Sequence, residues 1–230
     1  CVSIFFFVGG YGLYKRISVD KFKLTKAIKS LYISYWKIFM IFIPIAFIFF
    51  NRSDHSLPDL CLKYHIDDPG ELVSTILSNF LGLSDSLNGE WWFFASYLCV
   101  LPMGVLFFIA TKKSKSFTFD MFLVFVVDMF VNNIFPGFSQ SEVLAGLGNN
   151  FYFTHFLKVS GASLFFAGIV MAKHNKLEEW KSKLQQFRFS GLIGFVGCIG
   201  VLYIRGYILG TIIEIIHAMA FTIFASLFFD

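Results

Sequence analysis

"NGEWWFFASYLCVLPMGVLFFIAT", residues 88–111, decides the fold class. From Trp92 to Thr111 the chain carries no charged residue. About 20 such residues are what a helix needs to cross the hydrocarbon of a bilayer. Trp91 and Trp92 stand at the start of the run, where amphipathic rings favour the headgroup level. The stretch reads as a helix entering a membrane through an aromatic belt.

The rest of the chain has the same character. It is 57% hydrophobic and 15% charged, with 33 Phe and a mean hydropathy of +0.70. A soluble domain is about 45–50% apolar and about 25% charged. Apolar runs fall near 2–14, 36–50, 91–110, 118–135, 151–172, 189–204 and 206–229. The expected fold is therefore an all-α polytopic helix bundle of about seven passes. Cys1, Cys61, Cys99 and Cys198 have no metal-ligand spacing, so neither a zinc site nor a disulfide framework is expected. No permanently bound cofactor and no nucleic-acid partner are expected either; the implied partners begin with membrane lipids.

Charge sorts the segments between the runs. Residues 15–37 hold Lys15, Arg16, Lys21, Lys23, Lys26, Lys29 and Lys37; residues 111–117 hold Lys112, Lys113 and Lys115; residues 173–188 hold Lys173, Lys176, Lys181, Lys183 and Arg188. These alternate links contain 15 of the 19 basic residues. The positive-inside bias makes them cytoplasmic and residues 51–90 external, as in a bacterial plasma-membrane protein. Within the external segment, Asp68, Pro69 and Glu71 form a helix start, and Leu72, Val73, Ile76, Leu77, Phe80 and Leu81 recur on one face. A helix on the membrane surface is expected there. Gly191, Gly194, Gly197 and Gly200, every third residue, predict close helix packing.

Several stretches carry a family resemblance. "NGEWWFFASYL" resembles the N-x-x-WWF-x-x-x-Y element of membrane-bound acyltransferase family 3, on Asn88, Trp91, Trp92 and Tyr97. "FFFVGGYGLYK" is similar to its FFFxSGYGLYK element, on Gly10, Tyr11 and Gly12, with Gly9 in place of Ser. "KAIKSLYISYW" resembles its basic R-x-x-R-x-Y-x-P-YW segment, ending on Tyr35 and Trp36, with Ser34 in place of Pro. "FFAGIVMAKHNKLEEW" is similar to its FxxGxxxAKxxxxE helix end. The four stretches lie in the family's order over nearly the whole chain. The resemblance implies one acyltransferase-like domain over residues 1–230, incomplete at the N-terminus and expected to be incomplete at the C-terminus as well. The first run, Val2 to Tyr14, is short for a pass, and the family's catalytic histidine precedes the GYGLY element, so it is expected upstream of Cys1.

The implied activity is transfer of an acyl group, in the first instance acetyl, from cytoplasmic acyl-CoA to a hydroxyl of a surface carbohydrate. Acetyl-CoA is then a co-substrate and the carbohydrate acceptor a partner. The family's paired arginines align with Ala27 and Ser30, and Lys26 and Lys29 stand one residue away as the candidate donor-binding cations. The same lysines can act purely as topology signals or bind anionic lipid.

Ionisable residues inside apolar runs are costly in lipid and face protein or a cavity. Asp128, His155, Lys158, Arg205, Glu214 and His217 all fall in the external half of their runs. They are the candidate acceptor cavity, or ion pairs such as Asp128 with Lys158 that orient helices. Glu214 and His217, three residues apart, could form a general acid/base couple. Two other readings of the whole are a transporter or flippase, which predicts paired half-repeats that the sequence does not display, and an acyltransferase-like protein that has lost catalysis.

Overall fold

A computed structural model of the 230-residue chain describes residues 2–20, 22–50, 69–88, 91–130, 161–206 and 211–229. Among these residues every regular element is a helix: α1 (Val2–Ser18), α2 (Leu24–Phe50), α3 (Pro69–Phe80), α4 (Trp92–Thr111), α5 (Phe117–Met129), α6 (Ala162–Lys173), α7 (Lys176–Gln185), α8 (Ser190–Arg205) and α9 (Thr211–Phe228). The all-α expectation holds. The count of seven passes is not shown: among the described residues two helices, over Leu24–Ile45 and Trp92–Thr111, are long and apolar enough to cross a membrane. Ala162–Lys173, Ser190–Arg205 and Ile213–Phe228 are apolar but shorter. Outward-facing Ile38, Ile41 and Phe42 on α2, Phe122 on α5 and Phe195 and Ile199 on α8 are 47–58% exposed. Such a surface suits hydrocarbon better than water.

α1 lies against α6 over the most extensive helix pair in the molecule, and α9 packs on both. Glycine makes the crossing possible. A Cβ on Gly10 would stand 1.8 Å from the Phe165 carbonyl oxygen, and one on Gly168 would stand 2.0 Å from that of Phe7. The backbones therefore touch at both points, the close approach that small residues permit between membrane helices. Phe7, Phe165, Ile169, Val170 and Met171 around the crossing are fully buried. The expected glycine packing of α8 is found against α9: a Cβ on Gly194 would meet the Phe224 carbonyl at 2.6 Å and one on Gly197 the Phe224 ring at 2.4 Å. Gly200 faces open space and takes no part.

Two segments read as basic links are helical. α2 starts at Leu24, well before the apolar run at 36, because Leu24, Ala27, Ile28, Leu31 and Tyr35 keep one side of the basic stretch apolar and packed. α7 forms because Leu177, Trp180 and Leu184 share a face that packs on the core. Asn175, with φ of 53°, turns the chain back from α6 into it; asparagine tolerates that left-handed conformation well. Glu179 accepts hydrogen bonds from Lys176 at 2.6 Å and Lys183 at 2.9 Å on the exposed side. These bonds, Lys176 first, hold the Glu179 carboxyl down to about 2. A depressed carboxyl stabilises the helix above its ordinary value of 4.5 and loses that contribution as pH falls towards 2. Hydrogen-exchange protection of the α7 amides should hold steady above about pH 4.5 and decline only below it.

α3 forms where the sequence places it, with Asp68 outside the described residues. Its C-terminal end is capped by α2. The Tyr35 hydroxyl donates to the Asn79 carbonyl, Trp36 Nε1 to that of Phe80 at 2.9 Å and the Tyr32 hydroxyl to that of Leu81 at 3.4 Å. Carbonyls at a helix end lack partners within the helix, so these donors fill an intrinsic deficit. Asn79 is fully buried and uses its amide to bond the Thr75 carbonyl, Ser86 Oγ and the Leu87 N–H. Ile76 and Phe80 pack on Trp36, Phe39 and Trp91, whereas Val73, Leu77 and Leu81, on the same predicted stripe, stay exposed.

Candidate functional site

Three of the four resembling stretches meet around one cleft of about 450 Å³ between α1, α2 and α4. From the first stretch come Gly9 and Gly12; from the second Ala27, Ser30 and Ser34; from the third Phe93 and Tyr97. Helical spacing brings each set to one face: Ala27, Ser30 and Ser34 are three or four residues apart on α2. A Cβ on Gly12 would meet nothing within 4 Å, so this glycine opens directly onto empty space. Arg16 lines the basic end of the cleft, and among the described residues it has no ion-pair partner. From Arg16 to Phe5, both lining residues, the cleft runs for about 16 Å along α1 at 1.5 Å per residue.

The positions aligned with the paired arginines, Ala27 and Ser30, line this cleft, and Lys26 and Lys29 do not. The two lysines are exposed, about 100° further round α2. Arg16 is the cation that sequence reasoning passed over. In sequence it is one basic residue of a link, and only the cleft between α1 and α2 singles it out.

A second cavity, of about 220 Å³, lies towards the other end of α1 and is lined by Ser3, Phe6, Trp92, Leu164 and Glu214, among others. Arg205 holds Glu214 in a forked contact, with Nη2 at 3.0 and 3.3 Å from the two carboxylate oxygens and Nε at 3.2 Å from the first. The Ser3 hydroxyl donates to the other side of the carboxylate. His217, one turn along α9, is buried, and its Nδ1 has no hydrogen-bond partner among the described residues. Arg205 and Glu214 thus form an ion pair that the sequence reading does not name. Asp128 is buried in α5, and His155 and Lys158 lie outside the described residues.

Phe6, Phe93 and Tyr97 stand between the two spaces. Phe6 lines the smaller cavity, whereas Phe93 and Tyr97 line the cleft. Their ring centroids are 5.2 Å (Phe6–Phe93), 6.0 Å (Phe6–Tyr97) and 5.8 Å (Phe93–Tyr97) apart, ordinary aromatic packing. No protein-family model, curated protein or solved structure matches the chain.

The remaining residues of the resemblance have structural employment. Gly10 carries the α1–α6 crossing, Tyr35 and Trp36 cap α3, and Trp91 is buried against Tyr35 and Phe39. Tyr11 reaches Glu178 of α7 at 3.5 Å and lies under Lys15 Nζ at 5.4 Å. The Asn88 carbonyl accepts from the Trp91 N–H at 2.9 Å, holding the turn into α4.

A third polar group sits at the basic end of α5 and α6. Asp120, fully buried, takes Lys173 Nζ at 2.6 Å and His174 Nε2 at 2.8 Å on the same carboxylate oxygen. Lys173 also donates to the carbonyl of Thr111, the last residue of α4. One lysine therefore ties three helix ends together.

Proposed function

We propose that the protein is a membrane-bound acyltransferase that takes an acyl group from a cytoplasmic acyl-CoA and passes it to a hydroxyl of a carbohydrate on the external side. The observation carrying this reading is the convergence of three sequence-distant stretches, each resembling the same family, on a single cleft with an arginine at its basic end that has no ion-pair partner among the described residues. In this reading the basic end is cytoplasmic. Arg16 receives phosphate of the donor in a planar fork, a geometry lysine lacks, and Lys26 and Lys29 add longer-range attraction. The cleft, about 16 Å long, admits an extended thioester arm between Gly9 and Gly12 on one wall and Ala27, Ser30 and Ser34 on the other. The acyl group then arrives at Phe93 and Tyr97, one aromatic layer from the cavity that holds Glu214. There the Arg205–Glu214 pair and Trp92 offer a charged fork and an aromatic face to a hydroxylated acceptor. Glu214, already committed to Arg205 and Ser3, orients the acceptor in this reading.

The test is acyl-CoA binding to the full-length protein in lipid nanodiscs. Arg16→Ala should weaken it by about tenfold or more, since a charge-assisted hydrogen bond contributes on the order of 1.5–3 kcal/mol. Lys26→Ala with Lys29→Ala should cost less. Equal affinity in wild type and Arg16→Ala would remove the donor from this cleft. Translocation of a solute without acyl transfer would favour the transporter reading.

A further inference from the structure

We infer that Tyr97, lying over Gly9, sets the size of the acyl group that the cleft accepts. This rests on the acyl-transfer reading and adds to it a specificity-determining residue. The glycines of "GGYG" do three different things in this fold. Gly10 is pressed against a neighbouring backbone and Gly12 faces emptiness, but the space a Cβ of Gly9 would take is filled by Tyr97. That Cβ would stand 2.5 Å from the phenol oxygen, 2.9 Å from Cε2 and 3.1 Å from Cζ. Glycine at position 9 therefore lets the hydroxyl end of the phenol press against the α1 backbone, at the wall of the cleft.

The ring is held there from several sides. Phe6 stacks on it with an interplanar angle of 30°, Phe165 meets it edge-on at 5.7 Å and Phe93 packs at 5.8 Å. A side chain packed on three aromatic neighbours does not swing aside cheaply, because interior side chains sit in defined rotamers at crystal-like density. The phenol is thus a fixed wall between the cleft and Phe6. An acyl chain extending from the thioester towards Phe6 meets it after a few atoms, so short acyl groups fit and long ones do not. Shortening residue 97 joins the volume of the ring to the cleft and gives extra methylenes an apolar place among Phe6, Phe93 and Phe165.

The experiment measures the affinities of acetyl-, butyryl- and octanoyl-CoA for the full-length protein in nanodiscs, for wild type, Tyr97→Phe, Tyr97→Leu and Tyr97→Ala. Each newly buried methylene tightens binding by up to about fourfold. The octanoyl-to-acetyl affinity ratio should therefore rise at least tenfold in Tyr97→Ala, less in Tyr97→Leu, and stay at the wild-type value in Tyr97→Phe, which keeps the ring. Tyr97→Leu retains apolar packing, so it reports even if the alanine variant does not fold. A ratio that is the same in all four proteins, with acetyl-CoA still bound, overturns the role of Tyr97 and leaves the donor site standing. Failure of every thioester to bind wild type overturns the acyl-transfer reading and this inference together.

Discussion

Gly168→Ala should destabilise the protein by more than about 3 kcal/mol, and Gly10→Ala by a similar amount. Ordinary overpacking of a core costs about 1–3 kcal/mol because side chains and backbone can shift a little. Here the added methyl would enter the space of a backbone carbonyl, at 2.0 Å from Phe7 oxygen in one case and 1.8 Å from Phe165 oxygen in the other. No rotamer change relieves that contact; α1 and α6 must separate. Separation also opens the packing of Phe7, Phe165 and Ile169, all of them buried. Thermal unfolding in detergent measures the effect. Gly12→Ala is the internal control: its Cβ meets nothing, so it should be neutral or slightly stabilising through helix propensity. Equal stability of all three variants would mean that the α1–α6 crossing is looser than described.

Asp120→Asn should cost about 3–5 kcal/mol. The substitution keeps the shape of the side chain and removes the charge that faces Lys173, leaving a largely buried ammonium without its counter-charge. Replacing Asp120 and Lys173 by apolar residues, Asp120→Leu with Lys173→Met, should recover part of the loss, because desolvation of that pair is then avoided, although His174 also loses its partner on Asp120. The double variant still lacks the bond from Lys173 to the Thr111 carbonyl, so recovery should be incomplete. Comparing the melting temperatures of the single and double variants separates the cost of an unpaired charge from the worth of the pair. A double variant no more stable than Asp120→Asn would show that the lysine acts chiefly through Thr111.

What could be read from the chain depended on whether the signal was local. The apolar runs at 91–110 and 189–204 become α4 and α8 almost residue for residue, since length and hydropathy are carried by neighbours in sequence. α3 was legible from Pro69, Glu71 and the spacing of Leu72, Ile76 and Phe80. The glycines of α8 announced a packing face, though not that Gly200 would stand outside it. α7 was missed because its charges dominate its composition, and its apolar face is only three residues wide. Asn79, Arg16 and the Asp120–Lys173–His174 group were invisible for another reason. Each acquires its meaning from partners far along the chain, and one sequence gives no distance between Asp120 and Lys173. The ionisable residues of the apolar runs illustrate the same limit: Arg205 and Glu214 are close in sequence and do meet, whereas nothing local says which helix Asp128 will face.

The hydrogen bond from Ser3 to Glu214 joins residues 211 positions apart, and the glycine crossing joins α1 to α6 near residue 165. α1 is thus synthesised well before the helices it packs on. During translation at about 5–20 residues per second, α1 waits on the order of ten seconds or more for α9, with Gly10 exposed where a backbone will later press. Contacts between distant parts of a chain form slowly because the intervening loop must close first. Docking of α1 therefore waits for α9, and an arrest of synthesis before Glu214 leaves α1 without the carboxylate that Ser3 binds.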